Sequence, residues 1–151
     1  MSERLSPEVF IAMMQDSFDR GQSITFVPSG NSMLPMLDGK TDKVTFSEKP
    51  DRLKKYDVAF YMRPQSGQLV LHRMIGLTKD GGYIFCGDNQ YDYEYGIGDD
   101  DVLALMTAFT HKGREVQVND FRYRLYVRRM MLKKRLRILL SKAYHRVLKK
   151  G

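Results

Sequence analysis

Three patterns of apolar and polar positions follow one another along the chain. From Ser6 to Gly21, Val9, Phe10, Met13, Met14 and Phe18 recur at three- and four-residue spacing, which predicts an amphipathic helix. Ser6 is a fitting N-cap, Pro7 suits the first helical position, and Gly21 is a fitting stop. From Ser23 to Val118 short β-prone runs alternate with turn residues. Strands are expected near residues 24–27, 43–46, 58–62, 69–75, 83–86, 102–110 and 115–118. Asp38-Gly39, Arg63-Pro64-Gln65-Ser66-Gly67, Lys79-Asp80-Gly81-Gly82 and His111-Lys112-Gly113-Arg114 are turn compositions at hairpin spacing, so the strands should pair antiparallel in a partly closed β structure. From Phe121 the pattern is helical again. Leu125, Leu132, Leu136, Leu139, Leu140, Ala143 and Val147 form one apolar stripe, with Lys and Arg filling most of the remaining surface.

This division predicts an N-terminal helix over residues 1–20, a β domain over 21–120 and a basic helical tail over 121–151. Charge sharpens the last boundary. Residues 1–120 carry 13 Lys and Arg against 18 Asp and Glu, a net −5, whereas residues 121–151 carry 12 Lys and Arg and no acid. The overall +7 therefore belongs to the tail. A helix packed by its leucines with a solvated basic face, a helix lying on anionic lipid, and a nucleic-acid-binding helix all fit this composition. Nucleic acid ranks behind the other two, since no recognition motif accompanies the charge.

The 42% apolar and 28% charged composition is that of a globular protein. The single Cys86 excludes an internal disulfide and reads, in Tyr83-Ile84-Phe85-Cys86, as a small buried apolar residue. No apolar run approaches the roughly 18 residues of a membrane span, and no secretory leader pattern opens the chain. A cytoplasmic protein, or one peripheral to a membrane, is expected.

Three segments hold candidate chemistry. In Pro28-Ser29-Gly30-Asn31-Ser32-Met33-Leu34-Pro35 a glycine precedes a serine by two positions after a strand, an arrangement that can present a hydroxyl outward with backbone N–H groups beside it. By itself it reads more readily as a plain loop, since such clusters are common. His72 lies inside a strand, on the face shared with Val70 and Met74, where a histidine is ordinarily a satisfied core residue, yet neutral imidazole is what a serine nucleophile requires. Asp88, in Gly87-Asp88-Asn89, is either a turn residue or a carboxylate that orients His72 or its loop. The three histidines stand far apart and no paired-cysteine spacing exists, so neither metal nor cofactor is implied.

Taken in order, Gly30-x-Ser32-Met33-x-Pro35-x-Leu37, Asp57-Val58-Ala59-Phe60, Val70-Leu71-His72-Arg73-Met74-Ile75-Gly76 and Gly87-Asp88-Asn89 resemble four sequence boxes of the S24/S26 serine peptidases, the signal peptidase I and LexA-like superfamily. Tyr56 stands where that family carries glycine. The resemblance implies a mainly β, LexA/signal-peptidase-like fold and a serine endopeptidase of signal-peptidase type. Ser32 falls on the nucleophile and His72 on the general base, as in the histidine branch of signal peptidases. Ser29, Gly30 and Asn31 fall around the oxyanion, and Asp88 on the acid of the last box; Asp92 and Glu94 are further acids nearby. The partner implied is a peptide or protein bound as an extended strand. A LexA-like peptidase that cleaves itself or one partner, and a peptide-binding module without catalysis, are the alternatives on the same fold.

Overall fold

The computed structural model describes residues 5–149. They fall into two compact units that divide between Gln117 and Val118. In the first, helix α1 (Pro7–Asp19) opens with the Ser6 hydroxyl accepting from the Val9 N–H at 3.3 Å. It closes on Gly21, whose φ of +69° lets the Gly21 and Gln22 N–H groups return to the carbonyls of Phe18 and Ser17. Met14 and Phe18 are buried while Val9 and Met13 are exposed, so the covered stripe is narrower than the periodicity alone predicts.

Eight strands follow: β1 (Ile24–Phe26), β2 (Val44–Ser47), β3 (Val58–Met62), β4 (Leu69–Leu77), β5 (Tyr83–Cys86), β6 (Glu94–Ile97), β7 (Val102–His111) and β8 (Arg114–Gln117). All pairings are antiparallel, in the order β1-β2-β7-β3-β4-β5-β6, with β8 also on β7. Leu105 pairs with both β2 and β3, and Ala108 with both β2 and β8. Strand β7 therefore holds β2 on one edge and β3 then β8 on the other. Seven strands lie where alternation predicts them. The eighth, β6, is not among the predicted strands: it is short and interrupted by Gly96 at φ +76°.

The sheet buries both faces. On one, Phe10 of α1 meets Phe26 and Phe60 edge-on at 4.9 and 5.9 Å, and Phe46 stacks on Phe26. On the other, Ala59, Tyr61, Val70, Met74, Tyr83, Phe85 and Ile97 form the core, with Tyr61 stacked on Phe85 at 4.3 Å. Complete burial of side chains of this size contributes about 1.5–3 kcal/mol each, and these two layers hold the strands that carry the site.

The second unit contains α2 (Phe121–Leu148), opened by the Asp120 carboxylate accepting from the Arg122 N–H at 2.7 Å. Its buried positions are Tyr123, Val127, Met131 and Lys134. The leucine stripe is exposed throughout, and the covered positions lie on the opposite side of the helix, so packing by the leucines, one of the three readings of the tail, is not what the helix shows. Lys150 and Gly151 of the predicted tail, and residues 1–4 of the predicted N-terminal segment, lie outside the described residues.

Candidate functional site

The loop after β1 turns sharply at Gly30, whose φ of +94° belongs to glycine. Two hydrogen-bonded turns follow, closed by Leu34 N–H to Asn31 O at 3.2 Å and Leu37 N–H to Met33 O at 3.0 Å. Met33, Met36 and Leu37 are buried and anchor these turns, leaving Ser32 partly exposed on their outer side.

Two glycines fix the loop from outside. A Cβ on Gly39 would fall 2.2 Å from the Gly30 carbonyl oxygen, and one on Gly87 would fall 2.7 Å from the Ser32 carbonyl oxygen. That close approach lets the Asn89 N–H donate to Ser32 O at 2.8 Å and the Asn89 amide donate to Asn31 O at 3.2 Å. The Gly87-Asp88-Asn89 turn thus grips the Ser32 turn through backbone.

Asp88 performs a different task from orienting His72. It forms a two-pronged ion pair with Arg73, at 2.8 Å to Nε and 2.7 Å to Nη2, with both side chains almost completely excluded from solvent. Arg73 also donates to the Tyr56 carbonyl at 2.9 Å and meets Met36 Sδ at 3.1 Å. Tyr56 holds φ +78°, a left-handed conformation that glycine adopts without strain. Arg73 is therefore a buried hub that ties the last turn to β4 and to the segment before β3. Cys86 is buried, its thiol near the Gly87 and Gln90 carbonyls at 3.4 and 3.3 Å.

The carboxylate facing His72 is Glu94, on the unpredicted strand β6. His72 Nδ1 lies 3.0 Å from Glu94 Oε1, and the imidazole is 2% exposed. Arg63, just after β3, clamps Glu94 through Nε to Oε2 at 2.8 Å and Nη2 to Oε1 at 2.6 Å, and also bonds the Gln68 side chain. The Tyr61 hydroxyl completes the cluster, 3.2 Å from His72 Nδ1.

Burial alone would raise the Glu94 carboxyl, but the Arg63 hydrogen bonds and the neighbouring His72 hold it below its ordinary value. Burial pushes the His72 imidazole down, against the opposing pull of Glu94. It pushes the Tyr61 hydroxyl up, further from ionisation. At neutral pH the cluster is a carboxylate, a neutral imidazole and a neutral phenol. An ionised carboxylate takes donors, so Nδ1 carries the imidazole proton toward Glu94 and Nε2 is the unprotonated nitrogen.

Ser32 and His72 line one cleft of about 320 Å³, together with Ser29, Gly30 and Asn31, Gln68–Leu71, Arg63 and Gln90. Asp88 does not line it. Strand β4 pairs with β3 over Leu69–Arg73 but with β5 only from Arg73 onward, so Leu69–His72 has no strand on its second edge among the described residues. Arg63 N–H bonds Gln68 O at 2.9 Å, and antiparallel alternation from that pair directs the backbone N–H and C=O groups of Leu69 and Leu71 toward the open edge. Arg63, Tyr61 and Gly39 carried no signal in the sequence. Glu94 carried a weak one, its place among the acids just after Gly87-Asp88-Asn89.

No family model matches the chain, and comparison with curated proteins and with solved structures yields no match.

Proposed function

We propose that the chain is a serine endopeptidase of signal-peptidase type, with Ser32 as nucleophile and His72 as general base on a LexA/signal-peptidase-like fold. The observation that carries the reading is the cleft that Ser32 shares with a neutral histidine whose Nδ1 is held by Glu94 at 3.0 Å. A general base needs one imidazole nitrogen fixed and the other basic, and the hold of Glu94 on Nδ1 supports this role for Nε2. The left-handed Tyr56 at the glycine position of the resembled box, and the grip of Gly87 and Asn89 on Ser32, support the alignment of the boxes.

In this mechanism the substrate lies extended along the open edge of β4, its backbone bonding to Leu69 and Leu71. His72 Nε2 takes the proton of the Ser32 hydroxyl as Oγ attacks the scissile carbonyl. The oxyanion is held by the Ser32 N–H and amides of the Ser29–Asn31 turn. Glu94 stabilises the imidazolium, with Arg63 keeping the carboxylate ionised. His72 then protonates the leaving amine, and water hydrolyses the acyl-enzyme by the same route in reverse. Peptide-library digestion with mass-spectrometric readout tests this. The parent chain should cleave, and Ser32→Ala and His72→Ala should each lower the rate by on the order of 10²-fold or more. Cleavage that survives in Ser32→Ala refutes the assignment.

A further inference from the structure

The exposed face of α2 matches an anionic lipid surface. At about 100° per residue, Leu125, Leu132, Leu136, Leu139, Leu140 and Val147 fall within an arc of about 100°. All six are exposed, with Leu139, Leu140 and Val147 at 62%, 70% and 72%. The buried positions Tyr123, Val127 and Met131 lie on the opposite side. An apolar stripe of this length left open on a helix otherwise rich in Lys and Arg calls for a partner.

Charge selects among partners. Arg128, Arg135, Lys142 and Arg146 flank the stripe on one side and Lys133 on the other, Arg129 falls within its arc beside Val147, and all six are exposed. No acid occurs from Phe121 to Gly151. A second copy docked stripe to stripe would set these cations against their own equivalents. Nucleic acid would engage the cations and leave the leucines in water. An anionic bilayer surface satisfies both halves together: the leucines enter the acyl boundary while the long Lys and Arg side chains extend sideways to the headgroups. No helix among the described residues is long and apolar enough to cross a membrane, so contact in the surface plane is the mode that fits.

We infer that α2 binds the surface of anionic membranes through this leucine stripe and its basic flanks. The inference is independent of the peptidase reading, since it uses no residue of the cleft.

Co-sedimentation of the full chain with phosphatidylglycerol–phosphatidylcholine vesicles tests it, with pure phosphatidylcholine vesicles as the neutral arm. The chain should partition to the anionic vesicles and release as salt is raised. Replacing Arg135, Lys142 or Arg146 singly by Gln should weaken partitioning by about fivefold each, the equivalent of about 1 kcal/mol per cation near the surface. The pair Leu136→Glu and Leu140→Glu should weaken it at least tenfold, with the helical circular dichroism unchanged because both side chains are exposed. Failure to bind anionic vesicles, equal binding to neutral ones, or full binding by the Leu136→Glu/Leu140→Glu variant overturns the inference. So does capture of duplex DNA by a chain that leaves the vesicles unbound.

Discussion

Asp88→Asn should destabilise the first unit far more than an ordinary surface change, and its sign should depend on Arg73. The Arg73 and Asp88 side chains are 0% and 1% exposed and joined by two bonds of 2.8 and 2.7 Å. Discharging the aspartate leaves a buried guanidinium without its charged, two-pronged partner. Breaking one side of such a pair costs about 3–5 kcal/mol. Against the about 5–15 kcal/mol that stabilises a domain, that is a fifth or more of the total. In an Arg73→Met background the stranded charge is the Asp88 carboxylate, so there Asp88→Asn removes a burial penalty and should stabilise. Urea unfolding followed by near-ultraviolet circular dichroism of the tyrosines measures all four corners of this cycle; the chain has nine tyrosines and no tryptophan. A cost below about 1 kcal/mol for Asp88→Asn, or the same cost in both backgrounds, would refute the account of Arg73 as a buried charge balanced chiefly by Asp88.

The other predictions concern the cleft. Glu94→Gln removes the group that raises the His72 pKa, so the imidazole, already held below 6.5 by burial, should titrate lower still in a pH series of histidine NMR spectra. An upward shift would mean that another group sets the state of His72. Cleavage by Glu94→Gln should fall by about 10²–10⁴, because the tautomer is no longer enforced and the imidazolium loses its counter-charge. The sign of the pH effect on folding follows from the same cluster. Both folded values are depressed, so the stabilisation is present above the unfolded values, 6.5 for His72 and 4.5 for Glu94, and is lost as pH falls through the folded ones. Urea midpoints should therefore decline on acidification below about 6.5 and recover part of that loss in His72→Phe; midpoints that rise on acidification would contradict the assignment. Gly87→Ala places a methyl 2.7 Å from Ser32 O, so it should impair cleavage more than the about 0.5–1 kcal/mol backbone effect of a Gly-to-Ala change would suggest. Wild-type rates in that variant would show that the Ser32 turn is not held from this side.

The sequence by itself determined the elements. Periods of 3.6 and 2 are local properties of a chain that must bury one face, so α1, α2 and seven strands were legible from spacing and turn composition. It also singled out Ser32 and His72, through the order of four sequence boxes along the chain, since each segment alone reads as a loop or a core strand. Tertiary structure decided what depends on distance in space. That Glu94 rather than Asp88 faces His72 follows from β6 pairing beside β5, a register set by cross-strand packing between residues whose own segment, Glu94-Tyr95-Gly96-Ile97, barely alternates. That Asp88 belongs to Arg73 follows from burial, which leaves a charge no choice but its nearest complement. Gly39 and Gly87 matter only because another backbone passes within a Cβ's reach. The leucines of α2 show the same limit from the other side: periodicity marks them as a stripe, but which stripe a helix covers is a matter of what it meets in three dimensions.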